Sequence, residues 1–130
     1  MSTAQTRNFH GYHEPSKLQE QKWLERIALF AREHGSFPLQ NGGEFELHHV
    51  KGRTASHRKQ HIGRLFVLPI EFDYHHVLSN NPLNVTHFKK KYEEVFGKQS
   101  SQFVHMCEII REEDGELFIS DEALEVIKEL

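Results

Sequence analysis

A chain of 130 residues is sized for one domain with a modest core, and 37% hydrophobic with 27% charged residues excludes a disordered or fibrous polymer. A formal net charge of −3 and a pI of about 6.4 argue, taken globally, against nucleic-acid binding. The single cysteine, Cys107, excludes an internal disulfide and any multi-cysteine zinc site, so a bound metal must rest on His, Asp or Glu. No apolar run approaches a membrane span, and Met1-Ser2-Thr3-Ala4-Gln5 lacks the charged-then-apolar layout of a signal peptide; a cytoplasmic protein with no membrane partner is expected.

In chain order, residues 1–15 are polar without apolar periodicity and read as a flexible arm, and the ordered domain is expected over 16–130. Ser16 with Gln19 three residues on is a capping-box signature; Trp23, Leu24, Ile27, Ala28 and Ala31 recur at helical spacing until Gly35 supplies a stop. The stretch 37–43, with Pro38, Asn41, Gly42 and Gly43, reads as a turn into a strand over 44–50. On that strand Phe45, Leu47 and His49 share one face, and Glu46 and His48 the other. A loop leads to a continuous apolar run over 64–70, which predicts a second strand antiparallel to the first.

Asn81 can cap a following helix with Pro82 in its first position, and Thr86 is a rival cap. Val85, Phe88, Tyr92, Val95 and Phe96 make one apolar stripe, read as core, and Gly97 closes the segment. Lys89 and Lys90 can pair with Glu93 and Glu94. A further helix over 100–112, a turn at Asp114-Gly115, a short apolar stretch over 117–119 and a last helix capped by Ser120 complete the chain.

The overall charge conceals a basic centre beside an acidic tail. Between Lys51 and Pro69 there is no acidic residue, while Lys51, Arg53, Arg58, Lys59 and Arg64 are positive and His57 and His61 can become so. From Glu108 onward carboxylates dominate. A phosphate backbone would meet the centre.

Eleven histidines in 130 residues would give about one adjacent pair by chance. Here there are two, His48-His49 and His75-His76, each at the end of an expected strand. Neighbours on a strand point to opposite faces, so one imidazole of the first pair can take a metal while the other meets a different target.

The order strand with His-His, loop, strand, histidine, helix resembles the HNH or ββα-metal nucleases. It looks most like the phage Ref-type, RecA-dependent recombination-enhancement nucleases of that superfamily. The resemblance is carried by Glu46-Leu47-His48-His49-Val50-Lys51-Gly52-Arg53, by Gly63-Arg64-Leu65-Phe66-Val67-Leu68-Pro69-Ile70, by Tyr74-His75, and by Asn81-Pro82-Leu83-Asn84-Val85-Thr86-His87-Phe88-Lys89-Lys90. It spans roughly residues 44–97.

The resemblance implies an α+β single domain with a ββα-metal core at about 44–97, flanked by an N-terminal helix and C-terminal helices. It implies a metal-dependent DNA endonuclease in which His49 is the general base and His48, His75 and His87 hold one divalent ion, magnesium or manganese with zinc also able to bind. His76 can replace His75 after a one-residue shift. DNA phosphates would be met by Lys51, Arg53, Arg58, Lys59 and Arg64, and cutting would be stimulated by a RecA-type recombinase filament. Many relatives orient the base with an asparagine where this chain reads His61-Ile62-Gly63-Arg64, so another acceptor has to orient His49. Many also brace the hairpin with a structural zinc, a role left here to apolar packing. Rival readings are a non-catalytic DNA-binding module with a decayed site and a colicin-like toxin nuclease with an inhibitor partner.

Overall fold

The computed structural model describes residues 9–130. Its first helix, α1 (Lys17–His34), begins where the sequence places it. The Gln19 backbone N–H donates to Ser16 Oγ at 3.1 Å while Ser16 N–H donates to Gln19 Oε1 at 2.9 Å, so two otherwise orphaned donors are satisfied reciprocally. Gly35 ends the helix at φ 85°, and its N–H returns to Ala31 O at 2.8 Å. A Cβ there would meet Gln40 O at 2.1 Å, so both the conformation and the space require glycine.

The inner face of α1 is formed by Trp23, Ile27, Phe30 and Ala31, all buried. Each large apolar side chain taken fully out of water contributes about 1.5–3 kcal/mol. Trp23 is also tethered: its Nε1–H donates to Leu65 O at 2.9 Å, fixing the helix to the chain entering the second long strand.

Two strands, β1 (Phe45–His49) and β4 (Val67–Glu71), pair antiparallel with Phe45 opposite Glu71 and His49 opposite Val67. The expected hairpin is therefore present, although its second strand starts three residues later than the apolar run, because Leu65 and Phe66 are buried in the turn ahead of it. The connection between them is itself folded, with β2 (Ser56–His57) and β3 (Gln60–His61) forming a second small antiparallel sheet. Gly63 packs against this connection; a Cβ would meet Gly52 O at 2.3 Å and Ala55 N at 2.5 Å. On the far side of β4, Phe37 makes a single parallel bridge to Ile70.

Five helices are present among the described residues. After β4 the chain turns at once into α2 (Phe72–His75), then crosses a turn-rich stretch to α3 (Lys89–Phe96), α4 (Gln99–Asp114) and α5 (Asp121–Lys128). The helix expected from Asn81 or Thr86 starts only at Lys89. Asn81 Oδ1 instead accepts from Leu83 N at 2.9 Å and Asn84 Oδ1 from Thr86 N at 2.7 Å, side-chain turns that compete with helical bonding. Its apolar stripe is also only partly core: Val85 and Tyr92 are buried, but Phe88 is 47% and Val95 59% exposed.

The C-terminal elements close the core. Ser120 caps α5 by accepting from Ala123 N, and Phe103, Met106 and Ile110 of α4 are buried with Ala123 and Ile127 of α5. Phe9 bridges Ile119 in parallel, donating to Phe118 O and accepting from Ser120 N. The expected flexible arm is corrected accordingly. Residues 1–8 lie outside the described residues, whereas the stretch from Phe9 is held to the domain, with Gly11 O also accepting from His61 N at 2.6 Å. The result is a small α+β domain. No helix among the described residues is long and apolar enough to cross a membrane.

Candidate functional site

The alternation of β1 decides which groups meet. Glu46 and His48, two residues apart, lie on one face, and α2 folds back over that face because it follows β4 without a loop. His75, the last residue of α2, thereby reaches both. Its Nδ1–H donates to Glu46 Oε1 at 2.6 Å, and its ring lies edge-on to that of His48 with centroids 4.8 Å apart. A carboxylate on one imidazole nitrogen fixes the ring and leaves the other nitrogen to act as a ligand.

His48 is held neutral. Burial, followed by the neighbouring His75, pushes its pKa down to about 4; the Gln99 side chain opposes the shift, and His49 and Lys89 add to it. A neutral imidazole is the form that binds a metal.

His75 and His76 have different surroundings. His76 stacks on Phe72 at 4.3 Å, and its Nδ1 accepts from Leu78 N, so only His75 joins His48. The loop after α2 is pinned to it: Val85 N–H donates to Tyr74 O at 2.6 Å, and the Thr86 hydroxyl donates to His75 O. His87, expected as a third ligand, is exposed, and its Nε2–H donates to Val77 O at 2.8 Å; no contact joins it to His48 or His75.

His49 faces the other side of the strand. Its Nε2 is enclosed with no hydrogen-bond partner, and burial lowers its pKa against the opposing pull of Glu20, with Arg53 adding to the lowering. Glu20 is buried on α1 and its carboxyl sits below the usual range, chiefly because Arg53 hydrogen-bonds it.

That carboxylate redistributes the basic centre. Arg53 Nε and Nη2 donate to Glu20 at 3.2 and 3.1 Å, and Arg64 Nη1 reaches the same group at 3.4 Å while its Nη2 lies 3.4 Å from Glu14. Arg58 pairs with Glu129 of the acidic tail at 2.9 Å. Of the five expected phosphate contacts, only Lys51 and Lys59 have no ion pair among the described residues.

Lys51 stands beside Lys89, the first residue of α3, and its pKa is lowered by partial burial and then by that second ammonium, against the pull of Glu93. Glu46, Glu20 and Lys89 are thus site neighbours not among the expected site residues. Glu46 alone had a local signal, its spacing of two from His48 on a strand.

Among the described residues the one group of three with metal-ligand spacing is Glu33, His34 and Glu113, where α1 ends against α4. Two of its three residues already have partners, since His34 Nε2 lies 2.7 Å from Glu113 Oε2 and Arg26 Nη2 3.0 Å from Glu113 Oε1. No family model, curated protein or solved structure matches this chain.

Proposed function

We propose that this chain is a divalent-metal-dependent endonuclease that hydrolyses phosphodiester bonds in DNA, with a ββα-metal arrangement of the β1–β4 hairpin and the helices after it. The observation that carries the reading is the contact of His48 with His75, the latter oriented by Glu46. Two imidazoles from separate stretches of chain, one of them oriented by a carboxylate, suit manganese or zinc, with magnesium as the third possibility. His48 and His75 would hold the ion, with Glu46 orienting His75, and the ion would supply charge neutralisation at the phosphate when bound.

The chain's own residues would do the rest. His49 is the proposed base: it ends β1 at the turn closed by Gly52 N–H on His49 O, and burial keeps it neutral at pH 7, so it can accept a proton from water. Stimulation by a RecA-type filament belongs to the proposal through the family resemblance alone.

The second reading, a DNA-binding module without catalysis, is favoured by the position of His87 and by the engagement of three arginines in ion pairs. The test is nicking of supercoiled plasmid with magnesium or manganese, with and without a recombinase filament, beside His49→Ala and His48→Ala. Nicking by the wild type alone supports the nuclease. Equal nicking by all three overturns the assigned roles, and DNA retention without nicking selects the module.

A further inference from the structure

The β2–β3 hairpin carries its cations on a two-residue turn. Ser56 pairs with His61 and His57 with Gln60, so Arg58 and Lys59 form the tip, at φ 52° and 65°. Short hairpin turns with both central residues at positive φ favour asparagine and glycine, so two long cations there sit in strained backbone. The hairpin is fixed from its base. Buried Gln60 donates through Nε2 to His10 O at 2.7 Å, and His61 N–H donates to Gly11 O at 2.6 Å. The tip is therefore presented whatever its side chains meet.

What they meet is one carboxylate oxygen. Glu129 Oε1 lies 2.9 Å from Arg58 Nε and 3.3 Å from His57 Nε2. Glu129 follows the last residue of α5, at the helix end where the dipole disfavours a negative charge, so the hairpin cations are what favour it there. Their hold is loose. The Arg58 side chain is 67% exposed and paired through Nε, without the bidentate fork that makes such pairs strong, and Lys59 has no ion pair among the described residues. Arg53 differs, since it grips buried Glu20 with two nitrogens, and Arg64 spans Glu20 and Glu14.

We infer that His57, Arg58 and Lys59 at the hairpin tip are a contact for the DNA phosphate backbone, and that Glu129 is an intramolecular competitor whose carboxylate stands where a phosphate oxygen binds. Arg53 and Arg64 brace the fold instead. That the polyanion is DNA rests on the proposed nuclease reading; the exchange of Glu129 for another oxyanion does not.

The test is fluorescence anisotropy of a labelled DNA duplex titrated with the full chain in EDTA, at several salt concentrations. Glu129→Gln is expected to bind about two- to fivefold tighter than the wild type, the range spanned by one exposed ion pair. Glu125→Gln removes the same charge from α5, where Lys128 is its partner, and is expected to leave affinity nearly unchanged. Arg58→Met and Lys59→Met are each expected to weaken binding and to reduce the salt slope by about one. Most of the gain from Glu129→Gln is expected to vanish in an Arg58→Met background, because the two residues act as a pair.

Absence of binding by both the wild type and Glu129→Gln overturns the inference. So does an equal gain with Glu125→Gln, which marks general charge repulsion, or a gain that persists in full without Arg58. Plasmid nicking with manganese separates the two claims. Tighter binding by Glu129→Gln with no nicking by any variant supports the competing carboxylate and rejects the nuclease; nicking with an affinity indifferent to Glu129 does the reverse. Cooperative thermal unfolding establishes folding for each variant.

Discussion

His75 lies against His48 with ring centroids 4.8 Å apart, and its Nδ1 is held 2.6 Å from Glu46 Oε1. An imidazole fixed by a carboxylate and crowded by a second imidazole has little freedom left to rotate. Most of what can be measured follows from it.

The depressed pKa of His48 makes stability depend on acid. The folded value of about 4 lies below the ordinary 6.5, so between these values the unfolded chain binds the extra proton. This contribution is complete above pH 6.5, falls as the pH drops toward 4, and changes no further below. The loss is at most about 3.5 kcal/mol, at about 1.4 kcal/mol per unit. Urea unfolding at several pH values should show it in the wild type and much less in His48→Gln.

Glu46→Gln should separate metal binding from folding. An amide still meets His75 but does not fix its tautomer as a carboxylate does, so under the proposed reading manganese or zinc affinity should fall about 10–100-fold. The melting temperature should move little. Calorimetric titration with each ion is the measurement, and unchanged affinity would remove Glu46 from the centre.

Glu20→Ala should destabilise the domain by about 1–3 kcal/mol, because Arg53 and Arg64 lose a shared acceptor, although Arg53 is 58% exposed and water offsets part of its loss. Glu20→Gln should cost less. Thermal unfolding at pH 7 ranks the two.

Trp23→Phe should cost about 1 kcal/mol, since Leu65 O loses one of its two donors and keeps the Val67 N–H. Denaturant midpoints measure it. As Trp23 is the sole tryptophan, the intrinsic fluorescence of the wild type reports this same contact.

Local signals account for what the sequence made legible. Ser16, Gln19 and Gly35 bracket α1 through bonds within a few residues, and Ser120 caps α5 the same way. The alternation over 45–49 likewise orients Glu46 and His48 together. The β2–β3 hairpin carries no such mark: Arg58 and Lys59 turn it at φ 52° and 65°, conformations that usually announce themselves with glycine or asparagine. In the 81–88 stretch, asparagine side chains divert the backbone from the helix that apolar spacing alone favours.

The site was legible in outline only. Nothing in a four-residue helix such as α2 has periodicity to read, yet α2 delivers His75 to His48. A run of cations without acids resembles open surface until distant Glu20 and Glu129 are folded against it. Long-range ion pairs leave no trace in local composition.

The antiparallel register that sets Phe45 opposite Glu71 has a consequence for heredity as much as for chemistry. His48 and His49 are the same side chain, and only the pleat distinguishes them. A deletion of one residue that slid β1 along its partner would trade their environments while leaving every imidazole in the chain. Divergence in such a protein would then begin with the lengths of its connections, and a count of its histidines would register nothing.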